Sequence, residues 1–205
     1  MLLQNPLEAF SNPPADYPIL RILDKTQDPI STTAIFKRCS DVPRISVHKS
    51  LSRMSDHGIV DRQIVGNTYL YSLNRKHILF CAVKSFIDAP ENLLDEVGKS
   101  ISQWDTKPTC VYLFGSAARK QMTTSSDLDI LFLLEDNESE KDSILSHIYA
   151  LCKTLTENIG NETNPVIFQC SEVGDTPLFR EILDEGICLY GNKKILKQKV
   201  ENKHG

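Results

Sequence analysis

The spacing of apolar positions divides the chain into two stretches of different character. In the first, Ile19, Leu20, Ile22 and Leu23 recur at helical spacing after a proline-bearing segment, residues 1–15, that has no clear period and reads as a loop or arm. Asp28-Pro29-Ile30-Ser31 breaks this helix, and Ser31 or Thr32 is placed to cap a second one, with Ile35 and Phe36 inward, ending near Ser40. A third helix is predicted over residues 45–57, with Val47, Leu51 and Met54 as its inner stripe and Gly58 as its stop. Residues 59–65 and 68–73 then read as two strands joined by a tight turn at Gly66-Asn67. Ile78, Leu79, Ala82, Val83, Phe86 and Ile87 make a further helical stripe, which links two domains or pairs with its copy in a dimer. Asp88-Ala89-Pro90 is expected to end it, and residues 91–104 to form a separate amphipathic helix through Leu94, Val97, Ile101 and Trp104.

In the second stretch the apolar runs are short and continuous. Residues 110–114 and 130–134 are fenced by turn residues, the pattern of strands in a sheet covered on both faces. After an acidic loop and helix start at 135–142, Ile144, Ile148, Leu151, Cys152 and Leu155 predict a long helix. A third strand is expected at 165–169, a short helix at 178–183 and a last strand at 186–191. The tail from Asn192 carries five lysines and is expected to be frayed helix or disordered.

Between the first two apolar runs of this stretch lies the densest chemistry. Residues 110–114 end abruptly in Gly115-Ser116, and ten residues later Asp127 and Asp129 flank Leu128. At i and i+2 on a strand, both carboxylates point to one face. Two like charges so placed repel, and a divalent cation removes the conflict; Mg²⁺ favours a few carboxylate oxygens together with substrate phosphates. Glycine lets backbone approach a phosphate, and a helix starting at Ser116 would direct free N–H groups at an anion. The combination predicts a site for a metal-bound nucleoside triphosphate, with Mg²⁺ or Mn²⁺ and ATP or another triphosphate.

Gly115, Ser116, Arg119, Ser126, Asp127 and Asp129, set between two apolar strands, resemble the nucleotidyltransferase superfamily of DNA polymerase β, and most closely its minimal nucleotidyltransferases. The ending ILDEGICLYG resembles them too. The resemblance implies that Asp127 and Asp129 are catalytic metal ligands; Arg119 and Lys120 are expected to contact the triphosphate. Lys120 stands where many members have glycine, and Ser126 would bond backbone or a phosphate. It also implies a third carboxylate on the next strand. Residues 164–169 hold none: Asn164 or Gln169 takes the place, and Glu162 and Glu172 only flank it. Transfer is therefore expected to be weak or absent, while an active enzyme modifying a protein or RNA hydroxyl, like an antitoxin acting on a toxin-like partner, is the alternative.

Three helices and a hairpin over about residues 15–78 resemble a winged helix-turn-helix. That resemblance implies double-stranded DNA as a partner, met by the outer positions of the third helix, Arg44, Ser46, His48, Lys49, Ser52 and Arg53, and by Arg62 near the hairpin. Charge agrees only modestly. Residues 1–90 hold 11 Lys/Arg against 8 Asp/Glu, and residues 91–205 hold 12 against 19. A net +3 on the first part makes one module a weak DNA binder and favours a homodimer. The expectation is thus an α+β chain: a winged helix-turn-helix with linker helix at 1–88, then a nucleotidyltransferase-type α/β domain with a small mixed sheet at 89–205. Cys39, Cys81, Cys110, Cys152, Cys170 and Cys188 lie far apart, which suggests buried thiols in a reducing cytoplasm rather than a disulfide frame or zinc site. No apolar run is long enough to span a membrane, and residues 1–10 lack the basic flank and apolar core of a signal peptide.

Overall fold

The structure, a computed structural model, describes residues 2–6, 13–39, 41–136 and 141–201. Residues 7–12 of the expected arm, 137–140 of the acidic loop and 202–205 of the tail lie outside the described residues. The chain divides into two compact units, one of residues 5–90 and one of residues 91–205 together with 1–4.

The first unit runs α1 (Asp16–Asp24), β1 (Ile30–Ser31), α2 (Thr32–Arg38), α3 (Arg44–Asp56), β2 (Val60–Val65) and β3 (Thr68–Leu73). Ser31 caps α2 by accepting the Ala34 N–H at 3.2 Å. Ile19, Leu20, Leu23, Ile35, Val47, Leu51, Met54, Val60, Tyr71 and Leu73 form one core, which joins the three helices to the hairpin. The strand β1 was not expected, because two residues carry no readable period. It exists because Ile30 and Ser31 pair antiparallel with Tyr71 and Leu70, giving a sheet ordered β1-β3-β2.

Helix α4 (Phe80–Ser102) corrects the expected break at Asp88-Ala89-Pro90: the helix continues through Pro90. An interior proline costs about 3 kcal/mol because it cannot donate its hydrogen bond and crowds the preceding turn. Ile87 before it and Val97 and Ile101 after it are all buried, and each contributes about 1.5–3 kcal/mol. That burial outweighs the local penalty.

The second unit continues with β4 (Cys110–Phe114), α5 (Gly115–Ala118), β5 (Leu128–Leu134), α6 (Lys141–Ile159), β6 (Thr163–Gln169), α7 (Pro177–Glu185), β7 (Ile187–Gly191) and α8 (Lys193–Glu201). Its sheet is ordered β6-β5-β4-β7, with β6 parallel to β5 and the other pairs antiparallel. On one face Val111, Leu113, Leu128, Ile130 and Phe132 pack with Val97, Ile101 and α6. On the other, Cys110, Tyr112, Phe114, Leu131 and Leu133 pack with Phe179 and Ile182 of α7 and Leu196 and Val200 of α8.

Helix α8 corrects the expectation of a frayed or disordered tail. Leu196 and Val200 stand four residues apart, are both buried, and dock the lysine-rich segment on the sheet. The start of the chain is likewise part of the second core, through the buried Leu3 and a bond from Gln4 Nε2 to Met122 O at 2.6 Å. All six cysteines are free; Cys81 is exposed, against the expectation of buried thiols. No helix among the described residues is long and apolar enough to cross a membrane.

Candidate functional site

The site forms where β4 stops beside the start of β5. Phe114 pairs with Asp129, so the next residue, Gly115, lies against the Asp129 side chain. Gly115 takes φ +68°, and a Cβ there would stand 2.8 Å from Asp129 Oδ2. The dihedral therefore favours glycine, and any larger residue would also displace the Asp129 carboxylate. Helix α5 lasts one turn and closes with two backbone bonds, Gln121 N to Ser116 O at 2.8 Å and Lys120 N to Ala117 O at 3.2 Å. That closure puts Lys120 at φ 59°, and among the described residues it is the one non-glycine with positive φ. Glycine, which many members of the resembling family carry here, would meet this demand without strain.

Asp127 immediately precedes β5 and Asp129 is its second residue, so alternation turns both toward the face that carries α7 and α8. Asp129 is half-buried and Asp127 exposed. Burial pushes the Asp129 carboxyl above its ordinary value, the charges of Asp127 and Glu181 push it further, and Arg119 opposes them. Asp129, partly desolvated beside bare glycine backbone, and the exposed Asp127 form a like-charged pair of oxygen donors, which fits Mg²⁺ or Mn²⁺. Asp127 and Asp129 are the residues that would hold it. Among the described residues no three His, Cys, Asp or Glu side chains group as a metal cluster, so a third carboxylate does not join them.

Of the two residues expected at a third position, Asn164 is the one beside the pair. It pairs in register with Asp129 across β5 and β6, and its Nδ2 donates to Asp127 Oδ2 at 3.0 Å. Gln169, the other candidate, pairs with Leu134 at the far end of the strand. Glu172 stays with it, its carboxylate accepting the Gln169 N–H at 2.7 Å. Glu162 precedes β6, its carbonyl accepting the Leu128 N–H at 2.7 Å, and alternation gives its side chain the same face as Asn164.

The loop before Asp127 is shaped by Ser126, whose Oγ accepts the Thr123 N–H at 2.9 Å and whose carbonyl accepts Asn161 Nδ2 at 2.9 Å. Ser126 thus bonds backbone, one of the two roles expected of it. Ser116 is half-buried and Lys120 exposed. Arg119 is held by α7: its Nη1 donates to Glu181 and, at 3.5 Å, to Glu185. Asn161, Glu181 and Glu185 were not singled out from the sequence. They reach the site across 35 to 66 residues, and no local pattern announces them.

The residues expected to face DNA all lie on α3 except Arg62 on β2. Arg44, His48, Lys49, Ser52, Arg53 and Arg62 are exposed, while Ser46 is half-buried. Arg44 lies over the Phe36 ring at 5.6 Å and His48 meets its edge at 4.8 Å. Arg62 lies over Tyr69 at 5.4 Å, and Ser52 Oγ bonds Asp56 weakly at 3.5 Å. Arg53 has a structural partner: its Nη2 meets both oxygens of the buried Asp16 at 2.5 Å.

Comparison with known proteins bears on the second unit. Residues 98–195 match the family described as Polymerase beta, Nucleotidyltransferase. No curated protein matches the chain. Among solved structures, a toxin–antitoxin crystallised with AMP-PNP is similar at 18% identity and TM-score 0.40, covering 54% of this chain and 83% of that one. A mutant of the MntA–HpeT toxin–antitoxin is similar at 17% identity and TM-score 0.41, again covering 54% of this chain and 83% of its own.

Proposed function

We propose that the chain is a DNA-binding regulator whose nucleotidyltransferase-like unit binds a metal–nucleoside triphosphate and transfers its nucleotidyl group slowly or not at all. One observation carries this reading: Asp129 lies against bare backbone at Gly115, and the group that β6 brings to Asp127 is an amide, Asn164, rather than a carboxylate. Asp127 and Asp129 would hold a divalent cation, which would supply positive charge against the triphosphate. The chain's own groups do the rest. The turn at Gly115-Ser116 admits phosphate to the backbone, and Lys120 offers an ammonium to it. Arg119 reaches phosphate by exchanging the carboxylates of α7 for it. Asn164 fixes Asp127 by hydrogen bond, but an amide takes up no proton at neutral pH, so an acceptor hydroxyl lacks a general base there.

The order α1-β1-α2-α3-β2-β3 with a β1-β3-β2 sheet supports a winged helix-turn-helix in the first unit. The exposed Arg44, His48, Lys49 and Ser52 support α3 as its DNA-facing helix, in a homodimer that doubles a modest charge. A second reading, active transfer to a protein or RNA hydroxyl in the manner of an antitoxin, would rest on Glu162, the exposed carboxylate just before β6 whose backbone carbonyl bonds Leu128 beside the aspartates. Calorimetry with ATP and Mg²⁺ tests the core of the proposal. Binding should need the metal and vanish in Asp127→Asn/Asp129→Asn; equal affinity in that double variant overturns it. Labelled nucleotide separates the readings: transfer that depends on Glu162 selects the second.

A further inference from the structure

Arg119 and Glu181 stand on two elements whose backbones are both fixed. Arg119 closes α5, its N–H donating to Gly115 O at 3.2 Å. Glu181 stands on α7, which Thr176 caps and which the buried Phe179 and Ile182 anchor to the sheet. The chain leaves α7 at a tight point, since a Cβ on Gly186 would stand 2.4 Å from Ile182 O. The Arg119 guanidinium joins the two elements, its Nη1 donating to Glu181 and, at 3.5 Å, to Glu185. With both backbones fixed, only side-chain torsions separate this held guanidinium from a free one.

Glu181 and Glu185 lie one turn apart on α7, where two like charges oppose each other unless a cation sits between them. Arg180, next to Glu181 in sequence, does not supply that cation, because its guanidinium is bonded to Asp175. Arg119 supplies it from 62 and 66 residues away. A guanidinium between two carboxylates is already surrounded by anionic oxygens of the kind a phosphate would offer. The fork also lies within the field of the aspartates. After burial and Asp127, it is Glu181 that raises the Asp129 carboxyl, and Arg119 lowers it.

We propose that Glu181, supported by Glu185, is an internal competitor for the triphosphate: it holds the guanidinium that phosphate needs and thereby sets the affinity of the site. The proposal rests on the reading of Asp127 and Asp129 as a metal–triphosphate site. In the empty site Arg119 neutralises the two α7 carboxylates. In the loaded site phosphate takes the guanidinium, and the carboxylates, 39% and 50% exposed, pass to water. Calorimetry of the full chain with Mg²⁺–ATP reads the competition, because a pair that only braces α5 on α7 predicts the opposite sign. Glu181→Gln keeps the size of the side chain and removes its charge. It should tighten Mg²⁺–ATP roughly twofold to fivefold, the worth of an exposed ion pair. Glu185→Gln should tighten it less, since its contact is the longer one. Arg119→Ala should weaken binding, and in that background Glu181→Gln should have no effect. A second measurement needs no nucleotide: phenylglyoxal, followed by mass spectrometry, should modify Arg119 faster in Glu181→Gln than in wild type. Unchanged or weaker Mg²⁺–ATP binding by Glu181→Gln overturns the proposal, as does unchanged Arg119 reactivity. The same gain persisting in Arg119→Ala also overturns it, since Glu181 would then act by repelling the anion through space. Failure of the underlying reading has its own signature. If neither wild type nor any variant binds Mg²⁺–ATP while Arg119 reactivity still rises in Glu181→Gln, Glu181 holds Arg119 but the triphosphate is not what it competes with.

Discussion

Replacing Asn164 by aspartate tests the site at its one departure from a three-carboxylate arrangement. In the free protein the change removes the bond from Asn164 Nδ2 to Asp127 Oδ2 at 3.0 Å and turns a donor into a third negative charge. A hydrogen bond to a charged acceptor contributes about 1.5–3 kcal/mol, with the low end apt here because Asp127 is exposed. A new like charge about 4 Å away adds roughly 1 kcal/mol in a water-like environment. Asn164→Asp should therefore lose about 2–3 kcal/mol without metal. At roughly 4 °C per kcal/mol, a usual sensitivity for a unit near this size, melting falls by about 10 °C. Mg²⁺ with ATP should restore most of the loss, because the third carboxylate then faces a cation instead of two anions. Transfer of labelled nucleotide should rise by as much as about 10²–10⁴, the range of general-base assistance. Asn164→Ala is the control, since it loses the bond without adding charge. Scanning fluorimetry with and without metal reads the first effect and nucleotide transfer the second. If Asn164→Asp melts like wild type in metal-free buffer, or responds to Mg²⁺ no more than Asn164→Ala, the assignment of Asn164 to the third position is wrong.

Four other substitutions have definite expected outcomes. Lys120→Gly should raise stability by about 1 kcal/mol, the cost of a left-handed residue bearing a Cβ, while weakening Mg²⁺–ATP severalfold; unchanged affinity in titration would remove Lys120 from the phosphate site. Arg53→Ala should lose about 2 kcal/mol by urea denaturation because it deprives the buried Asp16 of its guanidinium, whereas Lys49→Ala should stay within about 0.5 kcal/mol and is the cleaner probe of DNA binding. Asp129 has a folded pKa raised above 3.8, so the folded state holds that proton more tightly than the unfolded chain. Its contribution to stability is greatest below 3.8 and declines as pH rises through the interval up to the raised value. Asp129→Asn should flatten that decline and make the metal-free protein more stable at neutral pH; an unaltered pH profile of urea midpoints would count against a partly desolvated Asp129 carboxylate.

What the sequence made legible follows from how local each cause is. The helices of the first unit, the hairpin turn at Gly66, and the strands either side of Gly115 rest on periods and turn residues a few positions apart. The juxtaposition of Asp127 and Asp129 was readable for the same reason, since they share a face through period two alone. Pro90 was misread because its penalty is local and the burial that overrides it is tertiary. The tail was misread in the same way: five lysines dominate its composition, but Leu196 and Val200 decide its structure. The choice between Asn164 and Gln169 needed the register of β6 on β5. The grip of Glu181 and Glu185 on Arg119 needed the position of α7, and neither is written in neighbouring residues.

The first residues of the chain bear on how the site is held. Leu3 is buried in the core of the second unit, and Gln4 donates to the carbonyl of Met122, in the loop between Lys120 and Asp127. That loop begins with a strained residue at Lys120 and ends on a hydrogen-bonded turn at Ser126. It has little regular structure of its own to resist the strain. A donor from a residue 118 positions away and an apolar anchor beside it are what limit its freedom. Strain of this kind persists only where the surroundings over-determine the backbone. The brace at Met122, the Asn161 bond to Ser126 O and the closure of α5 together supply that constraint. Residues 91–205 alone contain the whole sheet and both aspartates, yet they lack the part of this constraint that comes from the start of the chain. A cut at residue 90 is therefore not neutral for the site, although it falls between two compact units.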